Sequence, residues 1–156
     1  MKLVMFDIDG TLTKSNDLDD KAFIEALHDV FNFKDVSTDW ESYTHTTDSC
    51  VLEEIYHTRR GRYPTPKEID RFRSRFLKLL SEAASAHGGV RPIRGASGVI
   101  ARLLASPNHA VAYAGGTWTV SAIFKLRSAG LPTENIPYAF ADDDRSREGI
   151  CTLALA

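Results

Sequence analysis

A short apolar run near the start of the chain, residues 3–6, ends in the segment Asp7-Ile8-Asp9. Successive side chains of an extended strand point to opposite faces, so Asp7 and Asp9 share one face while Ile8 points into a core. Ligands of open parallel sheets bind beyond the carboxyl ends of the strands, which is where these residues fall. The segment therefore predicts the first strand of a parallel sheet, carrying a pair of carboxylates at its end.

The next two residues, Gly10 and Thr11, favour a ligand at the same point. Glycine lets the backbone turn sharply or come close to a ligand, and threonine offers a hydroxyl and an amide that suit an anion. The alternative is an ordinary Asp-Gly hairpin turn, which needs a second strand soon after Gly10. Residues 14–20 are instead polar and lead into a helical pattern. The segment thus favours an anion-binding turn over a hairpin.

Composition narrows the class of protein. The chain has 156 residues, a formal net charge of -2 and 43% hydrophobic residues, which describes one soluble domain or one with a small appendage. Nothing in this balance indicates a nucleic-acid partner. The apolar start is too short for a signal peptide, and no apolar run has the length of a membrane span. Cys50 and Cys151 have no metal-ligand spacing, so reduced thiols and a cytoplasmic location are expected.

The remaining pattern alternates between helices and strands. Apolar spacing predicts helices over 18–31, 51–56, from Pro66 to about 88, 99–104 and 120–126, and strands over 110–114 and 138–141. This order implies an α/β fold with a parallel sheet and right-handed crossovers. Residues 15–88 are predicted to be wholly helical. We therefore expect a sheet unit made of residues 1–14 and 89–156, with the helical block 15–88 inserted after the first strand.

The segment Asp7-Ile8-Asp9-Gly10-Thr11-Leu12 resembles the first motif of the haloacid dehalogenase (HAD) superfamily, most of whose members are magnesium-dependent phosphatases. The resemblance implies a Rossmann-like sheet. It makes Asp7 the nucleophile and Asp9 the general acid and base. It also implies a Mg²⁺ cofactor bound by the Asp7 carboxylate and the Asp9 backbone carbonyl. A hard cation suits this role, since two carboxylates would otherwise repel a phosphate dianion.

The helical block is similar to the α-helical cap of phosphatases of the phosphoglycolate phosphatase and beta-phosphoglucomutase type. By that similarity it closes over the site and selects the substrate. Thr47 and Asp48 resemble a threonine-aspartate pair found in relatives, although a plain helix cap is the favoured interpretation. Arg59 and Arg60 are open to a phosphate contact, but a solvated helix end is favoured.

A second phosphate-binding element is expected after the second main strand, at Gly115, Gly116 and Thr117. Relatives place a serine or threonine at the strand end, whereas this chain has Gly115 there and Thr117 two residues later. Either Thr117 substitutes, or backbone amides at a helix start bind the phosphate; a plain flexible turn is the alternative. Lys125 lies midway along the next helix and is predicted to be a surface residue.

The basic residue of the resemblance is expected after the third main strand. Arg147, and with less support Arg145, takes the role normally held by a lysine, offsetting charge on Asp7 and the phosphate. Residues 142–144 are three consecutive aspartates. They are predicted to form a charged loop and helix cap, with a metal contact through Asp143 as the alternative.

The chain ends in an apolar helical run, residues 150–156, without a cap or a following strand. By the resemblance, a fourth strand with a further acidic magnesium ligand is absent, and the first strand is left at the sheet edge. An incomplete copy of a longer phosphatase is therefore expected. The leading hypothesis is a phosphatase of a small phosphorylated metabolite, acting through an aspartyl phosphate. The alternatives are a phosphomutase and a non-catalytic binding domain.

Overall fold

A computed structural model describes all 156 residues of the chain. It contains five strands and six α-helices. In chain order these are β1 (Lys2–Phe6), β2 (Thr13–Lys14), α1 (Asn16–Phe31), α2 (Asp48–Arg60), α3 (Pro66–Ala86), β3 (Arg91–Pro92), α4 (Ala96–Leu104), β4 (His109–Ala114), α5 (Thr119–Ser128), β5 (Tyr138–Ala139) and α6 (Arg147–Leu155).

The main sheet is parallel and has the strand order β1-β4-β5. Strand β1 pairs with β4 from Lys2 opposite His109 to Phe6 opposite Tyr113, and it has no neighbour on its other side. This confirms the predicted parallel sheet, with its first strand at the edge. Because the strands are parallel, the ends of β1 and β4 reach the same edge of the sheet, and that edge carries Asp7 and Gly115.

Strand β5 is shorter than predicted, since pairing stops at Ala139 rather than at residue 141. The amide of Phe140 donates to the Asp143 carboxylate at 2.8 Å, and the amide of Ala141 donates to the Thr117 carbonyl at 3.0 Å. Both donors are therefore used outside the sheet ladder. These bonds draw the end of β5 toward the loop that follows β4.

The prediction that residues 15–88 are wholly helical was wrong for the segment between α1 and α2. That segment has only one short 3₁₀ turn, Trp40–Ser42. Helix α1 ends because Asn32 adopts a left-handed conformation with φ 57°, and Asp35 does the same with φ 54°. Asparagine and aspartate tolerate this region better than most residues, and a helix cannot continue through it.

A second, antiparallel sheet was not predicted from the sequence. Strands β2 and β3 pair through Thr13 opposite Pro92 and Lys14 opposite Arg91. Each strand has only two residues, so no alternating pattern marks it. The pair joins the two places where the chain passes between the sheet unit and the helical block, and so it fixes the block at its base.

Two main hydrophobic cores match these two parts of the chain. The core of the helical block is aromatic and centres on Phe72, whose ring lies 4.9 Å from that of Phe23 and 5.9 Å from that of Trp118, measured between centroids. The core of the sheet unit contains Ile8, Tyr113 and Phe140. Trp118 comes from the sheet unit but packs in the core of the block, so the two parts are held together by apolar contact.

Both cysteines are free; Cys50 is buried and Cys151 is exposed. None of the six α-helices combines the length and the apolar character needed to cross a bilayer.

Candidate active site

The turn after β1 is wound around one carbonyl group. The Ile8 carbonyl accepts hydrogen bonds from the amides of Leu12 and Thr13, at 2.9 and 3.0 Å, and from the Thr13 hydroxyl at 3.2 Å. Gly10 makes the turn with φ 77°, in the left-handed region that glycine adopts without steric cost. Ile8 is fully buried, whereas the side chains of Asp7 and Asp9 are 39% and 26% exposed. The predicted alternation of side chains is therefore present.

The two carboxylates line a cavity of about 400 Å³. The helical block and the sheet unit both contribute walls. The lining includes Asp7, Asp9, Gly116, Thr117 and Arg147 from the sheet unit, and Asp19, Asp20, Phe23, Trp40, Glu41 and Asp48 from the block. Gly10 and Thr11 do not line it, and their amides bond within the turn, to the carbonyls of Thr13 and Ile8.

Asp7 lies beside one cation. Its Oδ2 is 3.6 Å from Nη1 of Arg147, and its Oδ1 accepts from the amide of Ile8 at 2.8 Å. Burial raises the pKa of Asp7 above its ordinary value, an effect that the Ile8 amide and Arg147 partly offset. The other candidate, Arg145, forms an ion pair with Glu53 at 2.5 Å. Of the two arginines, Arg147 is therefore the one placed next to Asp7.

Asp9 is bonded to a buried lysine. Lys125 was predicted to be a surface residue, which is wrong, because its side chain is 0% exposed. Its Nζ donates to both carboxylate oxygens of Asp9, at 2.8 Å each, and also to Asp19. Burial opposes the charged ammonium, but the charges of Asp19, Asp9 and Asp48 outweigh it and raise the pKa of Lys125. The lysine is thus buried as part of an ion cluster.

A signal for this burial exists in helix α5. Residues three or four apart lie on one face of a helix, and Lys125 follows Ser121 and Ala122 by these steps. Both of those residues are buried, as are Leu126 and Ala129. The apolar stripe therefore passes over position 125, and a charge on a buried stripe needs an acidic partner. Lys125 was nevertheless predicted to be at the surface, because lysines are mostly exposed in proteins.

Asp48 at the start of α2 reaches across to the sheet unit. Its Oδ2 accepts from the Thr117 hydroxyl and from the Trp118 amide, both at 3.0 Å. Burial, reinforced by the charge of Asp19, raises the pKa of Asp48 above its ordinary value. Thr47 is the cap of this helix, because its side chain accepts from the Cys50 amide at 3.3 Å. Thr47 thus caps the helix and also donates its hydroxyl to the Arg145 carbonyl at 2.8 Å, so both residues of the pair bond to the sheet unit.

The glycines after β4 allow a close approach of backbone and side chains. A Cβ on Gly115 would lie 2.8 Å from Oδ1 of Asp7, and one on Gly116 would lie 2.4 Å from the Thr46 carbonyl. Thr117 is only 4% exposed, and its hydroxyl bonds to Asp48 and Ser121. The amides of Gly116 and Thr117 donate no hydrogen bond within the chain. Backbone amides rather than the Thr117 hydroxyl are therefore free to meet an anion.

The remaining charged residues of interest lie outside the cavity. Asp142 pairs with Arg73, and Asp143 accepts from the Phe140 amide. Arg59 donates to the carbonyls of Lys34 and Asp35, and Arg60 to that of Phe31, beyond the end of α1 or at its last residue. These contacts fit the loop and helix-end roles that were favoured for them.

Oxygen donors for a divalent cation are present at Asp7 and Asp9. The Asp7 carboxylate faces the cavity, and the backbone carbonyl of Asp9 accepts no hydrogen bond within the chain. No group of three or more His, Cys, Asp or Glu side chains is arranged to hold a metal ion. A cation that binds through few protein oxygens and completes its shell with water and phosphate fits this donor set, and Mg²⁺ binds in that way.

Comparison with known proteins gives a match in structure only. No protein-family model matches the chain, and no curated protein matches it by sequence. A solved structure of CbbY from Rhodobacter sphaeroides in complex with phosphate matches with a TM-score of 0.73 and 23% identity, over 99% of this chain and 71% of that one. A hydrolase from Pseudomonas syringae matches with a TM-score of 0.68 and 20% identity, over 92% and 62%.

A HAD hydrolase of family IA, variant 3, from Entamoeba histolytica HM-1:IMSS matches with a TM-score of 0.62 and 14% identity, over 91% of this chain and 62% of that one. The chain thus spans less than two thirds of the length of two of these three proteins. The matches extend through both the sheet unit and the helical block. The predicted fold class is confirmed: this chain has the α/β fold of these solved structures, a Rossmann-like parallel sheet with a helical block inserted after its first strand.

Proposed function

We propose that this protein is a phosphatase that hydrolyses the phosphate monoester of a small metabolite. One observation carries the proposal: Asp7 and Asp9 project together from the end of β1 into one cavity, with Nη1 of Arg147 3.6 Å from Oδ2 of Asp7. Phosphoryl transfer needs a nucleophile, a proton donor and a positive charge near the phosphate, and these three residues supply them. The phosphate bound in the CbbY structure supports the same ligand class.

In the proposed reaction, a carboxylate oxygen of Asp7 attacks phosphorus while the bond to the substrate oxygen breaks. Asp9 gives a proton to that leaving oxygen, so the alcohol departs neutral. Asp9 then takes a proton from water, whose oxygen attacks phosphorus and releases inorganic phosphate from Asp7. Arg147 and the free amides of Gly116 and Thr117 stabilise the charge on the phosphate oxygens.

Mg²⁺ is the proposed cofactor, held by the Asp7 carboxylate and the Asp9 backbone carbonyl. Bound there, it would neutralise charge between the carboxylates and the phosphate dianion. The proposed substrate is small because the cavity volume, about 400 Å³, lies at the lower end of the range of about 300–1,000 Å³ that is usual for ligand pockets. The block 15–88 is proposed to act as a cap domain over the core formed by 1–14 and 89–156, and a cytoplasmic location is proposed for the protein.

The test is hydrolysis of p-nitrophenyl phosphate with and without Mg²⁺ by the wild type, Asp7→Asn and Asp17→Asn. Asp17 is an exposed residue in the first turn of α1 and serves as the matched control. We expect magnesium-dependent turnover that is lost in Asp7→Asn, by a factor of at least about 10³, and kept in Asp17→Asn. Equal turnover by the wild type and Asp7→Asn would refute the proposed nucleophile.

A further inference from the structure

Lys125 is fully buried and bonds directly to Asp9, one of the two carboxylates of the candidate site. Its ammonium group is completely buried at the centre of α5 and bonds to Asp9, 116 residues earlier in the chain. Removing an ammonium from water is unfavourable unless carboxylates and hydrogen bonds compensate. Here Asp9 and Asp19 both accept from Nζ, and the Thr117 hydroxyl lies 3.4 Å away. The cluster is therefore fully bonded as well as buried.

The contacts fix the Asp9 carboxylate from two directions. Lys125 holds both of its oxygens from the side of α5, and Ser15 donates its hydroxyl to Oδ1 from the turn that precedes α1. The Ser15 hydroxyl is itself bonded to the Thr13 hydroxyl at 2.7 Å. With both oxygens engaged, the carboxylate cannot rotate without breaking these bonds, so its direction toward the cavity is set.

Lys125 itself does not line the cavity. Its partners Asp9 and Asp19 line the cavity, whereas the lysine has no exposed surface. Asp7 has a different cation, Arg147, which does line the cavity and is half exposed. The two carboxylates at the end of β1 thus have separate cations. Arg147, beside Asp7, is accessible to a ligand in the cavity, whereas Lys125, bonded to Asp9, is buried.

We propose that Lys125 is the positioning residue for Asp9, aiming the carboxylate that transfers the proton and balancing the charge it acquires on releasing that proton. This inference rests on the proposed phosphatase function. It predicts that Lys125 matters most where proton transfer to the leaving oxygen is most needed. Alkoxide leaving groups need that proton, whereas p-nitrophenolate, a much weaker base, departs nearly without it.

The experiment compares kcat/KM for ethyl phosphate and for p-nitrophenyl phosphate in the wild type, Lys125→Met and Lys78→Met. The ratio kcat/KM covers the steps up to loss of the leaving group. For Lys125→Met, we expect a fall of about 10²-fold with ethyl phosphate and of less than about 10-fold with p-nitrophenyl phosphate. Lys78 is 66% exposed and is the control, for which we expect equal, near-wild-type values.

Binding of inorganic phosphate, measured by titration calorimetry, gives a readout independent of turnover. Because Lys125 does not reach the cavity, Lys125→Met should keep the wild-type dissociation constant. A loss of affinity of more than about 10-fold would make it a phosphate ligand and overturn the positioning role. If Lys125→Met fails to fold, since it leaves Asp19 unpaired, the double variant Lys125→Met/Asp19→Asn removes one charge of each sign and is measured instead.

The outcomes separate the two proposals. A wild type that hydrolyses neither ester refutes the phosphatase function, and the role of Lys125 falls with it. An active wild type with equal losses for both esters in the Lys125 variant refutes the positioning role alone. A selective loss with ethyl phosphate, at unchanged phosphate affinity, supports both.

Discussion

Replacing Asp48 by asparagine should change how the stability of the protein depends on pH. In the folded chain the Asp48 carboxylate accepts from the Thr117 hydroxyl and the Trp118 amide. These two bonds favour the charged form, but burial and the neighbouring charge of Asp19 outweigh them and raise its pKa. Asparagine has nearly the same shape, and its amide oxygen can accept the same bonds without carrying a charge.

Proton linkage gives the direction in which the stability of the folded chain changes with pH. In the unfolded chain Asp48 ionises near its ordinary pKa, about 4, whereas the folded chain still holds the proton above that pH. Ionisation therefore favours the unfolded state, and stability falls as the pH rises from about 4 to the raised pKa. Within that window, the wild type loses about 1.4 kcal/mol per pH unit relative to Asp48→Asn. Above the raised pKa the difference becomes constant.

The assay is urea unfolding of the wild type, Asp48→Asn and Asp17→Asn at several pH values from about 4.5 to about 8. We expect the difference in unfolding free energy between Asp48→Asn and the wild type to grow with pH in favour of the variant. Asp17 is exposed, so the unfolding free energy of Asp17→Asn should depend on pH in the same way as that of the wild type. Parallel curves for Asp48→Asn would refute the reasoning, because Asp48 would then ionise alike in both states.

Two further substitutions test the packing around the site. Phe72→Ala empties a fully buried position in the aromatic core and should cost about 3–5 kcal/mol in urea unfolding, whereas Tyr63→Ala, at a 61% exposed position, should cost less than about 0.5 kcal/mol. Equal costs would contradict the assigned core. Gly116→Ala would bring a Cβ to 2.4 Å from the Thr46 carbonyl oxygen. It should destabilise the protein, because the backbone at Thr46 or at residue 116 must shift to relieve this overlap. The same change at Gly98, within α4 and with nothing inside 4 Å, should stabilise it by about 0.5–1 kcal/mol. A Gly116→Ala variant as stable as the wild type would argue against the close contact between the helical block and the sheet unit.

The sheet and the paired carboxylates could be predicted because their causes are local. Alternation along β1 is enough to place Ile8 inside and Asp7 and Asp9 on the other side, whatever the rest of the chain does. The same is true of the cap at Thr47, which acts on the Cys50 amide three residues later. Interactions within a few residues leave a pattern that a sequence displays directly.

The helical block was predicted in outline. Apolar stripes mark its three helices, and the predicted end of the first helix at residue 31 agrees with the structure. The block is not wholly helical, because residues 32–47 contain only the short turn Trp40–Ser42. Asn32 and Asp35 have left-handed backbone in this connection. No regular apolar spacing marks residues 32–47, so the sequence did not predict their path.

The sequence by itself determined the parallel α/β architecture, the inserted helices and the position of Asp7 and Asp9, since each depends on spacing along one strand or helix. Only the tertiary structure decided that Lys125 is buried against Asp9 and that Asp48 bonds to Thr117, 69 residues away. A buried charge is stable only where partners from distant segments meet it at bonding distance. That condition is set by how helices and sheet pack together, and it leaves no regular period in the sequence.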